Sequence, residues 1–247
     1  MSNLYKNLSA VYEAMYQSFI DYEAEYMFYS DILLSYHCKS VVEIGCGSGN
    51  LASRFVNNGF EYLGMDLSEE MLTLAKTNNP IAVFVKEDMR NFNLQKKLDA
   101  CIITGRTISY LLTNDDVVDT FKAINNNLRM DGIISFDCID ANKFIPQIDS
   151  TKKVVHRASF KDKFYQRDSI WKVNLANGFC FDWASIFYEK TMQNELINIG
   201  EDNSMLRTFT IDEIGLFLSL TGFRMLEIIE RPSYAFDTFV IIAQKNT

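Results

Sequence analysis

Apolar and polar positions follow one rhythm through the first half of the chain and another after it. From Asp21 to Tyr36 the residues Tyr22, Tyr26, Tyr29, Leu33 and Tyr36 recur at helical spacing, which predicts an amphipathic helix. Short apolar runs then alternate with helical stretches. Val41–Ile44 reads as a strand running into glycines, Asn50–Asn58 as a helix stopped by Gly59, and Tyr62–Met65 as a second strand. Ser68 is placed to cap the next helix, with Glu69 and Glu70 in the first turn, where free N–H groups and the helix dipole favour anions. Ala82–Val85 and Ala100–Ile103 predict the third and fourth strands. Asp115–Leu128 predicts a helix, Asp131-Gly132 a turn, and Ile133–Phe136 the fifth strand.

Alternation of this kind implies a parallel sheet with helices on both faces. Between about Val154 and Phe209 the chain becomes aromatic and strand-like. Asn177-Gly178 predicts a two-residue hairpin there, with Phe179, Phe181, Trp183 and Phe187 on one face of the strand that follows. Thr210 with Glu213 reads as a capping box opening a helix that stops at Gly222, and Phe223–Ile229 and Thr238–Ala243 close the chain as strands. The expected organisation is one α/β domain over residues 1–150 and 210–247, with 1–37 as an N-terminal helical segment. Residues 151–209 form an antiparallel β insertion.

Chemistry concentrates where strands end. In Val41-Val42-Glu43-Ile44-Gly45-Cys46-Gly47-Ser48-Gly49 the glycines let the backbone bend tightly and approach a ligand, ahead of a helix N-terminus that suits an anionic group. A dinucleotide fingerprint would need its third glycine at position 50, where Asn50 stands. The spacing is instead G-x-G-x-G, with Glu43 two residues before the first glycine. Asp66 closes the second strand at the distance expected of an acid that binds ribose hydroxyls, although a plain helix-capping role suits it too. Asp88 and Met89 follow the third strand, Thr104-Gly105-Arg106 the fourth, and Asn126–Ile134 leads through Asp131-Gly132 into the fifth.

Taken in order over Ser40–Asp137, these motifs resemble the class I S-adenosylmethionine-dependent methyltransferases. The resemblance implies a doubly wound, seven-stranded, mostly parallel sheet in the order 3-2-1-4-5-7-6 with strand 7 antiparallel. The antiparallel insertion would lie between strand 5 and the last helix and cover the acceptor. The implied cofactor is S-adenosylmethionine, released as S-adenosylhomocysteine. Its binding falls to Glu43, Gly45, Cys46, Gly47 and Gly49 in the turn, and to Asp66, Leu67 and Met71 around ribose and adenine. Asp88 and Met89 would meet the adenine edge, and Thr104 would stand beside the methyl group. Val11–Tyr16 with Asp21-Tyr22 is similar to the lid of amino-sugar N-methyltransferases, which points to Tyr16 and Tyr22 as closing residues. Thr104-Gly105-Arg106 departs from the N-P-P-Y-like cluster of many amine and nucleobase methyltransferases and weighs against DNA bases as acceptors. Tyr16, Arg106 and His156 are the candidate catalytic residues, with Tyr110 and Asp137 weighed beside them. The expected reaction is methyl transfer to a nitrogen or oxygen of a small molecule. The rival readings are a non-catalytic cofactor-binding protein and an NAD-dependent oxidoreductase.

Composition narrows the partners. A net charge of -8 and an acidic residue excess disfavour nucleic acid. The basic run Lys152, Lys153, Arg157, Lys161, Lys163, Arg167 and Lys172 reads either as a solvated strand surface or as a rim for an anionic acceptor. Five dispersed cysteines and two histidines, His37 and His156, argue against a disulfide framework or a metal site. No apolar run reaches the roughly 20 residues of a membrane span, and Met1–Ala10 lacks a signal peptide's pattern. A cytoplasmic protein without a membrane partner is expected, and its oligomeric state is not indicated.

Overall fold

The computed structural model describes residues 3–5, 7–148, 151–176, 178–233 and 235–246. Its strands are β1 (Ser40–Ile44), β2 (Glu61–Asp66), β3 (Val83–Lys86), β4 (Leu98–Ile103), β5 (Leu128–Ile139), β6 (Thr151–Phe160), β7 (Lys163–Asn174), β8 (Cys180–Lys190), β9 (Leu196–Arg207), β10 (Phe223–Glu230) and β11 (Thr238–Lys245). Its helices are α1 (Ser9–Phe19), α2 (Tyr22–Ser35), α3 (Ala52–Asn57), α4 (Glu69–Asn78), α5 (Asn114–Asn127), α6 (Ala141–Ile148) and α7 (Ile211–Leu220). Seven strands make the main sheet, in the order β10-β11-β5-β4-β1-β2-β3. Six of them run in one direction, and β11 alone is reversed, antiparallel to both β5 and β10. Numbered within that sheet, this is the 3-2-1-4-5-7-6 order implied by the sequence.

β1 is buried along its whole length, as a central parallel strand with helices on both faces must be. One face packs on Phe121, Ile124, Phe136 and Leu218, the other on Tyr29, Leu33, Phe55 and Ile102. The caps fall where the sequence puts them. Ser68 accepts from the Met71 N–H at 3.2 Å, and Asp21 from the N–H groups of Glu23 and Ala24. Thr210 accepts from the Glu213 N–H at 3.2 Å, but Glu213 turns its carboxylate to Arg207, so only half of the capping box forms.

Three local expectations need correction. The Asp131-Gly132 turn is a bulge inside β5: Leu128 pairs with Leu98, pairing resumes at Ile133 opposite Ala100, and Asp131 takes the left-handed φ of 62°. The β7–β8 hairpin has a loop over 175–179 rather than two residues, because the last pair is Asn174 with Cys180. Asn177 itself lies outside the described residues, and Phe179 falls in the loop rather than in the strand. α6 was not anticipated; Phe144 anchors it among Trp171, Phe181 and Phe236.

The insertion is a four-stranded antiparallel sheet, β6-β7-β8-β9. α1 packs beneath it through Met15 and Tyr16, which meet Ala158, Tyr165 and Phe187. The 3-10 turn Asn3–Tyr5 ties to β9, where the Leu4 N–H donates to Asp202 at 3.0 Å. Arg167 of the basic run is buried beneath the Trp183 ring, 4.8 Å from its centre, so the run is not a continuous charged edge. Among the described residues no helix is long and apolar enough to cross a membrane.

Candidate functional site

A cavity of about 520 Å³ opens over the C-terminal ends of β1, β2, β4 and β5, beneath α1 and the start of α2. That is where an open parallel sheet binds ligands, because its loops diverge there. Beyond Ile44 the chain bends so sharply that Gly45 N–H (2.7 Å) and Cys46 N–H (3.0 Å) both donate to the Met65 carbonyl. Gly45 has a φ of 72°, and a Cβ on it would lie 2.5 Å from the Thr107 side chain. Gly47, also at positive φ, faces the cavity. The bare bend, its own N–H groups tied to Met65 and Asp66, leaves room for a ligand's polar tail.

Asp66 sits beside that bend. Its Oδ2 accepts from Gly47 N–H at 2.9 Å and its Oδ1 from Ser68 N–H at 2.8 Å. Burial raises its pKa, and these N–H groups hold it back. Each carboxylate oxygen still has a lone pair to offer. A fixed carboxylate with two acceptor positions, next to a glycine bend, matches a vicinal diol joined to an amino-acid tail, so the residues present fit S-adenosylmethionine. Leu67, Asp88 and Met89 border the adjoining wall. Arg90 bonds Asp88 at 2.6 Å and holds its carboxyl below the usual range.

Glu43 is buried under the bend, where it accepts from Tyr62 OH (2.5 Å) and Thr104 Oγ1 (3.0 Å). It thereby joins β1, β2 and the turn after β4. Burial pushes its pKa up to about 7 despite those two donors. The neutral form therefore favours the fold. That contribution is complete below the ordinary value of 4.5 and is lost as pH rises through about 7. Glu43→Gln, which cannot titrate, is expected to lose less thermal stability than the wild type between pH 5 and 8; parallel melting slopes would refute this.

Tyrosines roof the other end. Tyr12 stacks on Tyr16 with ring centres 4.0 Å apart, and Tyr5 and Tyr110 share a 2.7 Å hydroxyl hydrogen bond. Tyr22 borders the same space. Glu13 fastens this roof to the glycine bend: it accepts from Ser48 Oγ, from Asn50 at 3.2 Å and from Gln17 at 2.7 Å. The residue that breaks the dinucleotide fingerprint, Asn50, is thus part of the latch.

The turn after β4 completes the floor. Arg106 is left-handed (φ 63°), its N–H donates to Asp137 Oδ1 at 2.8 Å, and its guanidinium lies 5.4 Å from the Phe236 ring centre. Burial pushes Asp137 up to about 6, against the pull of Arg106. Glu25 and Arg231, paired at 2.8 Å, border the cavity as well.

The structure brings most of the sequence-predicted residues to this cavity: Tyr16, Tyr22, Glu43, Gly45, Cys46, Gly47, Asp66, Leu67, Asp88, Met89, Thr104 and Arg106, with Tyr110 and Asp137. Gly49, Met71 and His156 are not among its lining residues. Gly49 packs behind the bend against Asn79 and Phe84, and Met71 is fully buried in α4. His156 is on β6, hydrogen-bonded to Arg167 at 3.2 Å, and burial followed by the Arg167 charge lowers its pKa to about 4. None of the basic residues between Lys152 and Lys172 borders the cavity. Glu13, Glu25 and Arg231 escaped the sequence reading. Each is a charged residue without motif spacing, and Glu25 and Arg231 meet only through the fold.

Residues 41–132 match a family of methyltransferase domains. The chain is 28% identical over 219 residues to a putative methyltransferase of Bacillus subtilis (strain 168), YqeM, covering 83% of this chain and 84% of that protein. It is 28% identical over 116 residues, 46% of this chain and 49% of the other, to a dTDP-3-amino-3,4,6-trideoxy-alpha-D-glucopyranose N,N-dimethyltransferase of Streptomyces venezuelae. In fold it is similar to CalS10 of Micromonospora echinaspora, an amino pentose methyltransferase solved with S-adenosylmethionine bound (TM-score 0.79, 18% identity, 96% of this chain and 97% of that one). It is also similar to DesVI of Streptomyces venezuelae (TM-score 0.77, 20% identity, 92% of each chain).

Proposed function

We propose that this S-adenosylmethionine-dependent methyltransferase, matched to a methyltransferase-domain family over residues 41–132, methylates a nitrogen or oxygen of a small-molecule acceptor. The observation that carries this reading is the shape of the site. One cavity runs from the glycine bend and Asp66 to a roof of tyrosines fastened down by Glu13, which suits a cofactor and a compact acceptor. The similarity to amino-sugar N-methyltransferases supports an acceptor of that size.

When bound, the cofactor supplies a methyl group already activated by its positive sulfur. The protein's work is therefore alignment and drying. The glycine bend would lie along the amino-acid tail, Asp66 would accept from the ribose hydroxyls, and Asp88 with Met89 would border the adenine edge. Thr104, Gly105 and Arg106 set the floor at the reacting end. Tyr12, Tyr16 and Tyr22 on the roof exclude water from that end. Fixing two reactants in line can lower a barrier by about 7–11 kcal/mol without further chemistry.

Release of S-adenosylhomocysteine, followed over a panel of amino sugars, small amines, phenols and sugar alcohols, tests this reading. Turnover with small acceptors, and none with DNA or folded protein, is expected. Cofactor binding without turnover on any small acceptor would favour the non-catalytic reading, and binding of NADH the oxidoreductase one.

A further inference from the structure

One carboxyl lining the cavity stands apart from the glycine bend and from Asp66. Asp137 is near the C-terminal end of β5, next to Phe136, which pairs with the last residue of β4, Ile103. It borders the cavity beside the Thr104–Arg106 turn. Its Oδ1 is held by the Arg106 N–H at 2.8 Å, its own backbone N–H also bears on the carboxylate, and no other residue's side chain is hydrogen-bonded to it among the described residues. The charged and titratable groups around it come from three other elements: Arg106 from the turn after β4, Glu25 and Tyr29 from α2, and Arg231 from the segment after β10. Arg231 bonds Glu25 at 2.8 Å, so its guanidinium is directed to another acid.

We propose that Asp137 receives a cationic amine acceptor through Oδ2 and takes its proton, which makes the reaction an N-methylation. This rests on the methyltransferase reading above. An ammonium has no lone pair with which to attack. One N–H bond breaks, its electrons stay on nitrogen, and the proton passes to Oδ2. The nitrogen then forms its bond to the methyl carbon as the carbon–sulfur bond breaks, with that pair left on sulfur as a neutral thioether. The methylated amine leaves as a cation, and Asp137 returns its proton to water. Burial lowers an ammonium's pKa as it raises a carboxyl's, so donor and acceptor approach each other inside the cavity. Burial has pushed Asp137 up to about 6. A sugar-type hydroxyl is a far weaker acid than an ammonium and would stay out of its reach.

Sinefungin, the cofactor analogue with a carbon in place of the sulfur and an amine in place of the transferred methyl, tests this without a known acceptor. Its affinity is compared by calorimetry with that of S-adenosylhomocysteine, on the full chain. The wild type is expected to prefer sinefungin by about tenfold or more at pH 7.5, roughly 1.4 kcal/mol, and to lose that preference below about pH 6 as the carboxylate is protonated. Asp137→Asn keeps the acceptor for the Arg106 N–H. It is expected to bind S-adenosylhomocysteine as the wild type does, without preferring sinefungin. A preference retained in Asp137→Asn, or absent in a wild type that binds S-adenosylhomocysteine, overturns the proposal. The wild-type pH dependence is decisive even if the variant does not fold. Failure to bind either ligand would instead defeat the methyltransferase reading beneath it.

Discussion

Asp66→Ala is expected to weaken S-adenosylmethionine binding by about 10²- to 10⁴-fold. On the proposed reading the carboxylate would offer one oxygen to each of two ribose hydroxyls, and hydrogen bonds to a charged group contribute about 1.5–3 kcal/mol each. Two of them amount to about 3–6 kcal/mol, at 1.4 kcal/mol per decade of affinity. The loss has a second source. Without the carboxylate, Gly47 N–H and Ser68 N–H lose their acceptor, and the bend that should meet the cofactor's tail loses its brace. The effect also has a pH signature. Burial raises the Asp66 pKa, and only the ionised form accepts from both hydroxyls, so wild-type affinity should fall as the pH drops. Asp66→Ala should bind weakly with little pH dependence from this source. Titration calorimetry decides the point, and an affinity within about threefold of wild type would mean that Asp66 is only a turn residue.

Gly45→Ala is expected to have the largest effect on the fold among single methyl additions near the site. At a φ of 72° an alanine carries left-handed strain of about 1–2 kcal/mol. Its Cβ would also lie 2.5 Å from Thr107 Cγ2 and Oγ1. Thr107 cannot turn away freely, since its hydroxyl donates to the Thr104 carbonyl at 2.9 Å, and Thr104 in turn donates to Glu43. The clash therefore passes from the bend into the turn at the reacting end. Strain and overpacking together should cost about 2–4 kcal/mol, a fall of roughly 4–16 °C for a chain of this size. Gly59→Ala is the control. It has a φ of 84° but nothing within 4 Å of the added methyl, so it should lose only the backbone part. Equal melting temperatures for the two variants would show that the contact with Thr107 carries no weight.

The parts of this site that the sequence made legible are those fixed by local pattern. Val41–Ile44 is apolar at every position but Glu43, so an acid within a buried strand, just before glycines, marks a ligand bend. The place of Asp66 at the cavity could be read because a strand's end puts a side chain in a predictable position. Sheet order followed from resemblance, not from periodicity, which says nothing about which strands are neighbours. The insertion was legible as strands but not as a surface. Whether His156 faces the cavity depends on how β6 lies over α1, and it meets Phe19 and Arg167 instead. The bulge at Asp131 could not be told from a turn, because both use the same left-handed residue before a glycine. The Glu25–Arg231 pair joins residues from opposite ends of the chain, and Glu13 reaches the glycine bend only once α1 is seated. Such contacts come from tertiary packing and leave no spacing to read.

The most direct measurement is a crystal structure of the chain with S-adenosylhomocysteine. The ribose hydroxyls should lie within hydrogen-bonding distance of Asp66, the amino-acid tail against Gly45–Gly47, and the sulfur should face the floor formed by Thr104, Arg106 and Asp137. A ligand bound elsewhere, or a ribose turned away from Asp66, would contradict this.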